Sequence, residues 1–226
     1  MIEFQNVTKI YPPSTIALED ASFKIEEGEF LLIVGRSGAG KTTLLKLILA
    51  QEKPTRGRVF FEEKEVGKIK QGQLPFLRRK IGAVFQDYKL LESKTVYENV
   101  AFALEVMEAE DKEISTDVPK ILDIVGLRDK ANNFPRQISA GERQRAAIAR
   151  ALIHRPKIIL ADEPTGNLDP YNASEIIKLL QKINELGTTV ILTTHNKELI
   201  KKLKKRTITL ENGRLIRDDE EGKFIL

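Results

Sequence analysis

"FLLIVGRSGAGKTTLL", Phe30 to Leu45, is the stretch on which the fold turns. An apolar run ends at Gly35, and a helix-compatible segment begins at Lys41. Between them Gly35, Arg36, Ser37, Gly38, Ala39, Gly40, Lys41 and Thr42 match G-x-x-x-x-G-K-[ST] at every defined position. Strand, glycine-rich turn and helix are the setting this motif requires. Glycines let the backbone fold closely round phosphate oxygens and turn successive N–H groups inward. The helix N-terminus adds donors and partial positive charge. Lys41 is expected to reach the β- and γ-phosphates, the Thr42 hydroxyl to ligate Mg²⁺, and Thr43 to sit with them in the cradle. The loop alone implies a nucleoside triphosphate. It leaves open what the energy does, because kinases, GTPases, helicases and transport ATPases share it.

A second segment, "IILADEPTGNLDP", brings Asp162 and Glu163 to the end of another buried-strand run. Ligand sites in parallel α/β sheets lie at the carboxyl ends of strands. Asp162 is expected to hold Mg²⁺ through water, and Glu163 to orient or deprotonate an attacking water. His195 follows "TTVILTT", and Gln86 follows "GAVF". Taken alone, a histidine at a strand end is more often structural, and a glutamine there is more often a loop residue.

The rest of the chain supports an α/β fold. "IEFQNV", "ALEDASFKI" and "GRVFFEE" read as short strands near the N-terminus, an antiparallel β region. From about Asp87 to Arg155 the pattern turns helical, with "TVYENVAFALEVM", "DVPKILDIVGL" ending at a glycine, and "SAGERQRAAIARALI" opening on a serine. "KIILADE", the helix "YNASEIIKLLQKINEL" and "TTVILTT" then follow as strand, helix, strand, the pattern of a right-handed parallel crossover. Asn212-Gly213 in "TITLENGRLI" marks a hairpin.

The 226 residues carry 41% hydrophobic and 31% charged side chains and a net charge of +4, which does not single out nucleic acid. The absence of cysteine excludes disulfides and cysteine-ligated metals. The N-terminus has no signal-peptide pattern, and runs such as Phe30 to Val34 are too short to cross a bilayer. A membrane role is therefore expected to need another chain. The basic run "KKLKKR", Lys201 to Arg206, reads better as a solvated helix face than as a nucleic-acid or lipid site.

"ISAGERQRAAIARAL", Ile138 to Leu152, supplies the resemblance that joins these pieces. The chain resembles the ATP-binding cassette (ABC) ATPases along nearly its whole length. Their Leu-Ser-Gly-Gly-Gln-like signature opens a helix just upstream of the acidic strand, as Ser139 and Gly141 do here. Tyr11, the phosphate loop, Gln86, the signature, the acidic strand, the Gly166-Asn167-Leu168-Asp169 segment and His195 occur in the family's order. The resemblance implies a P-loop NTPase fold in one nucleotide-binding domain over 1–226. Residues 1–86 and 156–226 would form a RecA-like parallel α/β core with the antiparallel β region, and 87–155 an inserted α-helical subdomain.

It also implies ATP and Mg²⁺ as cofactors, with Thr42, Gln86 and Asp162 on the metal. Glu163, His195, Gln86 and Lys41 would act in hydrolysis, and Tyr11 would stack on adenine. Asp169 would bind nucleotide, and Ser139 and Gly141 would serve the ATP of a second copy in a head-to-tail dimer. Two departures stand out: Ala140 replaces the first signature glycine, and Glu142 replaces the glutamine. "LPFLRRKIGAVFQDYKLLESKTVYENVAF" and "DKANNFPRQIS" look like the family's bacterial cell-division branch. The membrane partner there is of the FtsX type, the site is the cytoplasmic face of the membrane, and closure activates cell-wall hydrolases. Branches for lipoprotein release or macrolide efflux are the alternative, followed by soluble ABC ATPases acting on ribosomes or DNA.

Overall fold

The computed structural model describes residues 1–220 and divides into two compact units. In chain order the strands and helices are β1 (Ile2–Tyr11), β2 (Thr15–Ile25), β3 (Phe30–Val34), α1 (Lys41–Ile48), β4 (Arg56–Phe61), β5 (Lys64–Glu65), α2 (Leu74–Arg78), β6 (Ile81–Phe85), α3 (Val96–Glu105), α4 (Asp111–Ile124), α5 (Ala140–Leu152), β7 (Ile158–Asp162), α6 (Pro170–Glu185), β8 (Thr189–Thr194), α7 (Lys197–Leu203), β9 (Thr207–Glu211) and β10 (Arg214–Asp219). One unit is Met1–Arg78 with the described residues from Thr189 onward; the other is Arg79–Thr188.

In the first unit β2, β1, β4 and β5 form an antiparallel sheet in that order. Alternation along β1 and β2 turns Phe4 and Phe23 to the same face, where they pair across the strands and stack at 4.6 Å. A second set runs β10-β9-β3-β8. β3 is buried at all five residues because parallel neighbours, β8 and β9, flank it on both sides. Asn212 (φ 49°) and Gly213 (φ 79°) turn β9 into β10, the positive-φ pair that a two-residue hairpin demands. In the basic run, Lys201 and Lys202 are exposed on α7, whereas Arg206 is pinned by Glu29 and Asp218 at 2.9 and 2.6 Å.

In the second unit β6 and β7 pair in parallel, and four helices, α3 to α6, complete it. Val96, Val100 and Leu104 of α3 meet Val118 and Leu122 of α4 and Ala146 and Ala149 of α5 in one apolar cluster. α3 starts on a capping box between Thr95 and Glu98. α4 begins at Asp111, earlier than the segment "DVPKILDIVGL" suggests, and runs through Pro119. The stripe Ile114, Val118, Leu122 and Val125 packs on the cluster, and that burial outweighs the backbone bond Pro119 removes. Gly126 (φ 67°) ends it, with the Leu127 N–H returning to the Leu122 carbonyl at 2.8 Å. Asn99 is buried in α3 and binds the backbone of Leu91, Lys94 and Thr95, which fixes the loop ahead of that helix.

Candidate functional site

The phosphate loop leaves β3 at Gly35 and enters α1 at Lys41. Two glycines are required by crowding. A Cβ at Gly35 would overlap the Leu210 carbonyl, and one at Gly40 (φ 107°) would overlap the Ala17 carbonyl. The Gly213 N–H holds the Ala39 carbonyl at 3.2 Å, so the terminal hairpin buttresses the loop. Arg36, Ser37, Gly38 and Thr42 are exposed along its outer surface, Gly40 and Thr43 are half-buried, and Ala39 is packed beneath. Lys41 is 6% exposed, and its ammonium donates to the Gly35 and Arg36 carbonyls at 2.9 and 3.2 Å. That geometry curls a cation over the hollow of the loop, where a phosphate would accept its protons.

β8 lies beside β3 in parallel, with Thr194 opposite Val34. His195, exposed, therefore leaves its strand next to the loop. Asn196 then caps α7 by accepting from the Leu199 N–H at 3.1 Å. Tyr11 ends β1. The Lys9 ammonium covers one face of its ring at 4.9 Å and is itself held by Glu52 at 2.7 Å. The Tyr11 phenol oxygen is buried with no hydrogen-bond partner among the described residues.

The second unit carries the acidic half. β7 ends at Asp162, whose parallel register partner is Phe85, so Gln86 and Glu163 emerge side by side. Glu163 has φ 47°, an uncommon conformation for a non-glycine residue. The Gly166 N–H returns to the Glu163 carbonyl at 3.0 Å and folds the following segment back. Gln86 Nε2 donates to Asn167 Oδ1 at 3.2 Å, and Asn167 Nδ2 donates to the Gln86 carbonyl at 3.1 Å. Asp169 caps α6: its Oδ1 accepts from the N–H groups of Tyr171 and Asn172, and its Oδ2 from the Asn172 amide. The Asn172 amide, then these backbone donors, hold its carboxyl below the usual range.

Ser139 caps α5. Its Oγ accepts from the Glu142 N–H at 3.3 Å, while Glu142 Oε2 accepts from the Ser139 N–H at 2.7 Å. The Ser139 N–H is the main reason the Glu142 carboxyl lies below its ordinary value. Ala140 begins the helix without a positive φ, so its methyl group causes no backbone strain. Gly141 is different: a Cβ there would overlap the Asn172 side-chain amide. Asn167 lies in a segment that the sequence points to without giving it a role, and nothing in the sequence spacing singles out Asn172. Each nonetheless joins two segments of the expected site.

A model of the ABC transporter family matches residues 18–166, a span that includes the phosphate loop, the serine-capped helix and the acidic strand end. This chain belongs to the ABC ATPases. It is 49% identical over 224 residues to the cell division ATP-binding protein FtsE of Bacillus subtilis (strain 168), covering 99% of this chain and 98% of that one. It is 48% identical over 225 residues to FtsE of Mycobacterium tuberculosis (strain ATCC 25618 / H37Rv), covering 99% and 98%. Its fold superposes with TM-score 0.89 on the ATP-binding cassette MJ0796, a dimer in a post-hydrolysis state bound to ADP and Pi. The two are 36% identical, with 99% of this chain and 100% of that one covered. The chain is an ABC ATPase of FtsE-like type.

The cassette's oxygen donors suit a hard cation. Thr42 offers a hydroxyl, Asp162 a carboxylate, and Gln86 an amide oxygen, because its nitrogen makes the bond to Asn167. Among the described residues no three histidine, aspartate or glutamate side chains converge.

Proposed function

We propose that this cassette hydrolyses ATP as the FtsE-like subunit of a bacterial division complex. An FtsX-type integral membrane protein would hold it at the cytoplasmic face. ATP lies along Gly35 to Thr43, with adenine on the ring face of Tyr11 opposite Lys9. Mg²⁺, held by Thr42, Gln86 and Asp162, would neutralise phosphate charge. Glu163 takes a proton from the attacking water, and His195 holds the γ-phosphate.

A second copy completes the site with Ser139 and Gly141. The observation that carries this reading is the α5 cap. The cap gathers the Ser139 hydroxyl and the first-turn N–H groups at one helix end, where the phosphate of a second copy would take over from the Glu142 carboxylate as acceptor of the hydroxyl proton. No helix among the described residues is long and apolar enough to cross a membrane.

Affinity capture of the tagged chain from detergent extracts of its own host tests the partner. A membrane protein with a large extracellular domain, released by detergent alone and not by nuclease, is expected. Recovery of a lipoprotein-release permease, or of ribosomes or DNA alone, would overturn the division reading.

A further inference from the structure

Immediately after Gln86 the chain makes a turn whose conformation its residues disfavour. Tyr88 (φ 59°) and Lys89 (φ 51°) are consecutive non-glycine residues in the left-handed region. Inside the turn, the Tyr88 N–H reaches the Phe85 carbonyl at 3.1 Å and the Lys89 N–H reaches the Asp87 carbonyl at 2.6 Å. Tight closure of this kind, centred on a positive φ, is strained and persists only when something outside holds it.

The holder is α5. Arg150 donates through both terminal nitrogens, to the Lys89 carbonyl at 2.5 Å and the Tyr88 carbonyl at 2.8 Å. A planar fork meets two successive carbonyls, which a lysine could not match. Seven residues earlier on the same helix face, the Arg143 guanidinium lies 5.9 Å from the centre of the Tyr88 ring. Arg143 also donates to the Ile138 carbonyl at 3.2 Å, beside the capping serine. Arg150 is half-buried, and burial lowers its guanidinium pKa from the ordinary value.

We propose that Arg150 is a positioning residue for hydrolysis: it binds the strained Tyr88–Lys89 turn to α5, so that displacement of the serine-capped helix is delivered to Gln86, two residues upstream. This rests on the roles given above to Ser139 and Gln86. The link needs no contact between Arg150 and nucleotide. It makes Gln86 answer to whatever docks at the other end of α5.

Three variants of the full chain test it: Arg150→Met, which removes the donors; Arg150→Lys, which keeps charge without the fork; and Lys89→Gly/Arg150→Met, which relieves the backbone strain. Arg150→Met is expected to lower kcat about tenfold, with KM for ATP changed less than about twofold. Amide exchange should accelerate over residues 86–91 and not along α5. Arg150→Lys should fall between. The glycine double variant should stay as slow as Arg150→Met, because glycine eases the positive φ at position 89 without restoring the link to α5, and recovery of kcat there would overturn the link. Unchanged exchange over residues 86–91 in Arg150→Lys and Arg150→Met overturns the clamp, and faster exchange with unchanged kcat overturns its service to hydrolysis. If Arg150→Met unfolds, the same two readouts on Arg150→Lys, set against the unsubstituted chain, decide the matter. A Gln86→Ala chain with normal kcat would instead bring down the reading of Gln86, whatever the exchange shows.

Discussion

The phosphate loop and the segment around Gln86, Asn167 and Asn172 are built by opposite means. In the first unit, backbone does the positioning: glycines pressed on the Leu210 and Ala17 carbonyls, with the lysine folded over its own loop. In the second unit, side chains span long stretches of sequence: Gln86 to Asn167, 81 residues apart, and Arg150 to Tyr88, 62 residues apart. A backbone cradle tolerates no added atom and hardly responds to a neighbour's movement. Side-chain links can loosen one at a time, and so can carry a graded signal. Catalytic readiness is therefore expected to be set in the second unit and nucleotide affinity in the first.

Four substitutions press on that division. Glu163→Gln should lower turnover about 10³-fold while leaving ATP affinity within about threefold, read by steady-state kinetics and nucleotide titration. A matching loss of affinity would erase the division between the units. Gly40→Ala introduces both a clash and an unsuitable φ, and should weaken the first unit by about 3 kcal/mol with loss of nucleotide binding. Normal binding would show that the cradle is softer than its packing indicates.

Gly141→Ala should cost about 2 kcal/mol by driving Asn172 off Asp169, and Asn172→Gly in the same chain should restore much of it. Strict additivity in this cycle would dissolve the link. Glu142→Gln should change stability at neutral pH by only about 0.5 kcal/mol, since glutamine can replace the carboxylate in the capping box. Its larger effect is on acid sensitivity. The Glu142 carboxyl lies below its ordinary 4.5 in the folded chain. Its stabilisation is therefore complete above that value and is lost as pH falls through the folded one, so the variant should show a shallower acid-unfolding slope.

What the sequence makes legible follows the same division. Eight consecutive residues specify the cradle, because a phosphate loop is local backbone chemistry between one strand and one helix. The hairpin at Asn212-Gly213 and the Ser139 cap are legible for the same reason. α4 is harder, because a polar stretch before Asp117 and an internal Pro119 hide a stripe that only the packed cluster reveals. The short α7 shows in the sequence only through its basic run. Asn167 shows only as part of a segment, without its partner Gln86, and Asn99, Asn172 and Arg150 do not show at all, since their partners are fixed by the fold.

The central claim is that the serine-capped helix of one copy completes the ATP site of another. Sedimentation of Glu163→Gln with saturating Mg-ATP tests it most directly. A species of twice the 25.6 kDa chain is expected with ATP and a smaller fraction of it with ADP. Ser139→Arg in the same background is expected to bind ATP and stay monomeric. A chain that remains monomeric at saturating ATP, or a Ser139→Arg variant that dimerises equally well, would contradict it.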